Sequence, residues 1–143
     1  MLNNILSISG KPGLFKLISR GRNMLIVENI TTGKRVPAYS HDKVISLADI
    51  AMFTEEGETP LVEVLNSVKE LENSEVAKIT TKATAEELRN WFASVLPNYD
   101  RERVYPSDIK KLISWYNLLT ETGNNDFTVA TGEQPTEEVE ENN

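Results

Sequence analysis

The residue types that most often carry chemistry are sparse in this chain, and their spacing argues against a catalytic site. There is one histidine, His41, and no cysteine. Protein zinc sites draw mainly on His and Cys, so a metal centre here would have to be built almost wholly from carboxylates. His41 stands beside Asp42 in the polar stretch Ser40-His41-Asp42-Lys43, and no serine or cysteine nucleophile is tied to it by spacing. It reads as a solvated turn histidine rather than a general base. Gly10-Lys11-Pro12-Gly13 has the glycines and lysine of a phosphate loop, but that loop needs G-x-x-x-x-G-K-[ST] between a strand and a helix. Here Pro12 follows the lysine and strand-like residues follow the turn. Of the paired carboxylates, Glu86 and Glu87 stand where a helix begins and favour its positive end, while Glu55 and Glu56 read as linker residues. Asn29-Ile30-Thr31 fits a glycosylation sequon, with nothing around it to suggest a secreted chain. Trp91, Phe92 and Tyr116 fall on helical apolar stripes, the pattern of core packing, and Trp115 lies one step off its stripe. The expectation is a non-enzymatic protein with no cofactor and no metal.

What remains for function is charge. The chain carries a net −7, unevenly spread. Residues 1–54 hold seven cations against three anions, a net of +4, so the remainder is −11. From Asn124 onward there are six acids and no lysine or arginine, and no apolar period. Such a segment buries too little to offset its ordering entropy, so residues 124–143 are expected to form a disordered acidic tail. No leader and no apolar run of membrane-spanning length is visible, which by elimination predicts a cytoplasmic protein with no membrane partner.

The elements that would position these charges can be read from periodicity. Leu6 and Ile8 alternate with Ser7 and Ser9, and Leu14 to Ser19, Met24 to Ile30 and Arg35 to Tyr39 are further strand-like runs. Turn residues separate them at 10–13, 20–23 and 31–34. A short apolar piece and one helical turn at Ser46 to Asp49 lead to a last strand from Ile50 to Phe53. Five short strands in so few residues predict a small antiparallel barrel or a strongly curled sheet, SH3-like or Tudor-like in the order of its pieces. Several strands are apolar on both faces, so the helices that follow are expected to cover the outer one.

A first helix is expected from Thr59 and Pro60, with Leu61, Val64, Leu65, Val68 and Leu71 on one stripe. A polar connector with a short extended piece at 76–79 follows. Thr84 with Glu87 is a capping box, and Leu88, Trp91, Phe92, Val95 and Leu96 continue at helical spacing until Pro97. The last helix starts near Pro106 to Asp108 and runs through Ile109, Leu112, Ile113, Tyr116 and Leu119 to about Gly123. The organisation is therefore α+β: a β module at 1–54, a module of about three helices at 55–123, and the tail at 124–143.

Several stretches of this chain carry a resemblance. They are Ile8-Ser9-Gly10-Lys11-Pro12-Gly13-Leu14-Phe15, Glu86-Glu87-Leu88-Arg89, Val95-Leu96-Pro97-Asn98-Tyr99-Asp100, Arg103-Val104-Tyr105, and Ser107 to Leu112 with Trp115-Tyr116-Asn117-Leu118-Leu119. Over most of residues 1–122 the chain resembles an uncharacterised Bacteroidetes family known as a domain of unknown function, of the 5606 type. The resemblance implies a strand-rich module followed by a helical one, and it implies no activity.

In an up-and-down meander successive turns alternate between the two ends of the sheet. Lys11, Lys34 and Arg35 should then gather at one end, and Arg20, Arg22 and Lys43, with His41, at the other. The second group is the candidate anion-contacting patch. The function expected is a binding or adaptor protein whose partner is nucleic acid or a ribonucleoprotein, with a protein partner or self-association as the alternative.

Overall fold

The computed structural model describes residues 4–127. Its element order is β1 (Ile5–Ile8), β2 (Phe15–Gly21), β3 (Met24–Asn29), β4 (Arg35–Tyr39), β5 (Val44–Ser46), a 3₁₀ turn (Leu47–Asp49), β6 (Ala51–Thr54), β7 (Gly57–Pro60), α1 (Leu61–Leu71), α2 (Ala85–Val95) and α3 (Pro106–Glu121). The α+β class holds, with a sheet preceding three helices.

Strands β1 to β5 form one antiparallel sheet in the order β4-β3-β2-β1-β5. The β2–β3 turn is two residues, Arg22 and Asn23, and Asn23 takes the left-handed conformation (φ 61°) that asparagine tolerates better than other side chains. In the turn after β3, Asn29 Oδ1 accepts the backbone N–H groups of Thr31 and Thr32 at 2.8 and 3.1 Å. The sequon asparagine is thus a turn former. Ile18 is the extra residue of a bulge, lying between the pairs Leu17↔Val27 and Ser19↔Ile26.

The sheet is not a closed barrel. Among the described residues its edge strands β4 and β5 form no ladder with each other. The strand expected to complete a barrel, at 50–53, instead forms a separate hairpin of β6 with β7. Its turn residues are Glu55 and Glu56, and the 54/55 position at which the sequence reading divides the modules lies inside it. The sheet is nonetheless strongly curled. Laid flat, its outermost strands would be about 19 Å apart at the usual interstrand spacing. Only Ser40 to Lys43 connect them, and the chain from Tyr39 to Val44 reaches about 17 Å when fully extended. This connection is also tightened by a bond from Asp42 N–H to Tyr39 O at 2.9 Å. Inside the curl lies a small core of Leu6, Ile8, Phe15, Val27 and Ala38.

The larger core belongs to the helices. Leu61, Val64, Leu65 and Val68 of α1, Leu88, Phe92 and Val95 of α2, and Ile109, Leu112, Ile113, Tyr116 and Leu119 of α3 are buried together. The sheet joins this core through Ile5, Leu14 and Leu47. Met24 and Ile26, which by strand alternation face outward, stay only half-buried, so the helices cover less of the sheet than its two-sided apolarity suggests.

Two helix starts are fixed by side chains. Thr84 Oγ1 accepts Glu87 N–H (3.1 Å) while the Glu87 carboxylate accepts Thr84 N–H (2.9 Å). At α3 the Asp108 carboxylate accepts Tyr105 N–H at 2.9 Å. Helix α1 begins one residue later than expected, because Thr59 and Pro60 are paired in β7.

Its C-terminal end departs from the simple stripe. Leu71 is exposed, whereas Glu72 is only 5% exposed. The Glu72 carboxylate takes the indole N–H of Trp91 at 3.0 Å and the backbone N–H of Lys78 at 3.3 Å. Trp91 is accordingly half-buried and polar at one edge rather than a purely apolar core residue.

No strand forms at 76–79. That connector is held instead by Asn117 Oδ1, which accepts Ala77 N–H (2.9 Å), and by the Tyr116 hydroxyl, which donates to Glu75 O. Burial pushes the Tyr116 hydroxyl above the usual tyrosine range.

The expectation of disorder from residue 124 onward needs correction over its first four residues. Phe127 is 1% exposed and packs near Tyr116, with ring centroids 6.0 Å apart. Lys69 Nζ donates to Asn125 O at 2.9 Å and Asn66 Nδ2 to Phe127 O at 2.8 Å. Composition misses this because one aromatic in a polar run has no period to detect. Residues 128–143 lie outside the described residues.

Candidate functional site

The connection after β4 runs from the β2–β3 turn to the Ser9 end of β1, and it gathers the segments that carry the four candidate residues around one cleft. Ser40 N–H donates to Asn23 O at 3.2 Å, which ties the β2–β3 turn to the connection after β4. Ser9 N–H donates to Lys43 O at 2.9 Å, which fixes the far side of the same connection on β1. Arg20, Arg22, His41 and Lys43 are all exposed. Among the described residues neither arginine nor Lys43 has an ion-pair partner.

Between these segments opens a cleft of about 390 Å³, with Leu25, Ala38 and Val44 in its apolar wall and Arg20 and Tyr39 among its polar lining. Arg22, His41 and Lys43 do not line it, but the residues on either side of each one do. They therefore surround its mouth.

Tyr39 is the functional candidate that sequence reasoning missed. It is 47% exposed, and its ring lies nearly parallel to that of His41, 7° between planes with centroids 5.7 Å apart. Its position at the end of a strand, two residues before the only histidine, was the available signal. Asp42 is the acid of this region, and its carboxylate is occupied locally. One oxygen accepts Tyr39 N–H at 2.8 Å, and the other stands 3.8 Å from His41 Nε2. It shapes the turn that presents the stacked rings.

The turns that carry Lys11 and Lys34 are a weaker anion site, and they are not at a separate end of the sheet, because Ser9, just before the first of them, holds Lys43. Arg35 is paired with Glu28 at 3.1 Å, leaving Lys11 and Lys34 as the cations without such a pair.

A second concavity, of about 350 Å³, lies between the β1–β5 edge, β6 and α3. Ile45, Phe53, Leu112 and Trp115 contribute apolar walls, and Arg103 and Lys111 bring cations to it. The off-stripe position of Trp115 was its one trace in the sequence. Arg103 Nε bonds Asp100 at 3.1 Å while its guanidinium sits 4.2 Å from the Phe53 ring centroid. That Arg103 bond, with the Glu102 backbone N–H, holds the Asp100 carboxyl below the usual carboxylate range.

Among the described residues no group of three or more His, Cys, Asp or Glu is placed to hold a metal ion, and no helix is long and apolar enough to cross a membrane.

These observations define a two-part α+β protein, a curled antiparallel sheet braced by a three-helix unit. Its relatives divide it in the same way. A family model described as a domain of unknown function (DUF5606) matches residues 2–47, and a second, also a domain of unknown function (DUF6852), matches residues 50–119. A solution NMR structure of a protein from Bacteroides vulgatus, a structural-genomics target, is 59% identical. That match covers 98% of this chain and all of the other, with a TM-score of 0.74. The chain belongs to this uncharacterised Bacteroidetes family. No curated protein matches it.

Proposed function

We propose that this protein is a non-enzymatic binding module that takes single-stranded nucleic acid, free or within a ribonucleoprotein, at the Arg20–Asn23 and Tyr39–Lys43 end of its sheet. The observation that carries this reading is the exposed, nearly parallel Tyr39–His41 pair set among three unpaired cations. Single strands are held by that combination: aromatic faces receive bases, and a flanking basic surface tracks the phosphates. The two contributions are separable, because phosphate contacts release counterions and respond to salt, whereas stacking responds mainly to loss of the ring. The acidic remainder of the chain repels a polyanion, so it favours an approach to this end alone.

Changing Arg20 and Arg22 together to Ala tests the electrostatic half. Fluorescence anisotropy with a labelled oligouridylate should show weaker binding, and the slope of log affinity against log salt should fall by about two phosphate contacts' worth. Both side chains are exposed and unpaired, so the melting temperature should stay within about 2 °C, as surface changes of this kind cost little. Wild-type binding that ignores salt, or a double variant that binds as well as wild type, would leave a protein partner or self-association as the better reading.

A further inference from the structure

We propose that the concavity between the β1–β5 edge and α3 is a second binding site, and that it takes a free amphiphilic monocarboxylate: an apolar body with one anionic head. The site is independent of the basic end of the sheet. Its volume of about 350 Å³ falls in the size range of small-molecule pockets. Its floor is buried, with Leu112 at 1% exposure, while Ile45 at its rim is 51% exposed on the three-residue edge strand β5. An apolar body entering here would cover Ile45 and the half-buried face of Trp115.

The charges around it select the head group. Lys111 Nζ lies 5.9 Å from the Trp115 ring centroid and, among the described residues, has no ion-pair partner. The other charges are already compensated. Arg103 is paired with Asp100. Asp108 accepts Tyr105 N–H in the first turn of α3, where the positive end of the helix offsets its charge. That leaves one uncompensated cation beside an apolar cavity. A single carboxylate matches it, whereas a doubly charged phosphate would bring a second negative charge toward the Asp108 carboxylate in the lining. A neutral amphiphile would forgo the contact.

Decanoate and decanol are suitable probes because they share a chain and differ in the head. Titrations of the full chain below micellar concentrations, followed by amide and indole NMR shifts, should give saturable changes around Ile45, Phe53 and Trp115 with decanoate. Decanol should bind more weakly by up to about fivefold, the scale of one exposed charge contact. Lys111→Met, at an exposed position, should bring decanoate to within about twofold of decanol without moving the melting temperature. Ile45→Asp should weaken both ligands. The proposal is overturned if decanoate gives no saturable shift at these residues, or if wild type binds acid and alcohol equally. It is also overturned if the same resonances shift on concentrating the protein alone, which would make the occupant a second copy of the chain.

Discussion

Ending the chain after Asn124 is expected to destabilise the fold by about 3–5 kcal/mol, the usual cost of truncating a buried phenylalanine. The segment looks dispensable by composition, but Phe127 fills space beside Tyr116 and its carbonyl is bonded to Asn66. Removing it leaves a cavity between α1 and α3 and strips a hydrogen-bond partner from each of Asn66 and Lys69. Thermal melts should show a drop on the order of 10 °C or more for a chain ending at Asn124, with most of the loss recovered when it ends at Phe127 instead. Phe127→Ala in the full chain should reproduce most of the effect. Equal melting temperatures for all of these would show that Phe127 does not pack.

The second large effect is expected at the Glu72–Trp91 pair. Glu72→Ala leaves the Trp91 indole N–H and the Lys78 N–H without their acceptor and should cost about 1–3 kcal/mol, since these donors are partly buried and only partly regain water. Trp91→Ala should cost about 3–5 kcal/mol, because it removes both the packed ring and one of the carboxylate's donors. Trp91→Phe separates the two contributions by keeping ring area and deleting the N–H. A double-mutant cycle on Glu72 and Trp91 should give a coupling of about 1–2 kcal/mol from chemical denaturation midpoints. A coupling indistinguishable from zero would mean that the bond contributes nothing and that Trp91 is held by packing alone.

Local signals were legible in the sequence where they are redundant. The Thr84–Glu87 capping box, the stripe through Leu88 and Phe92 and the α3 stripe through Ile109 and Tyr116 each combine a start signal with several periodic residues, and all appear as read. The meander from β1 to β4 was likewise accessible, because turn residues punctuate alternating runs, whereas the separation of the basic turns into two ends was not, because the connection after β4 returns to the Ser9 end of β1. What escaped depends on long-range pairing. Ile50 to Phe53 is apolar enough to join the first sheet, yet β6 pairs with β7 and makes an additional bridge from Thr54 to Tyr99. Nothing local specifies that partner. Glu72 shows the same limit: a carboxylate at the end of an apolar stripe reads as solvated until an indole from another helix is brought to it. The candidate site was half visible for the same reason. The cations could be grouped by counting turns, but the stacking of Tyr39 on His41 requires the Asp42 bond that folds the intervening backbone.

The proposed function is tested most directly by mapping where a single strand touches the protein. Titration of the isotopically labelled full chain with a short oligouridylate at low salt should shift backbone resonances of Arg20 to Asn23 and Tyr39 to Lys43 together. Those shifts should collapse toward free values as salt is raised, and Tyr39→Ala should weaken binding at every salt concentration without changing the slope. Shifts that spare both segments, or an absence of saturable shifts at low salt, would contradict the assignment of this end of the sheet as a nucleic-acid surface.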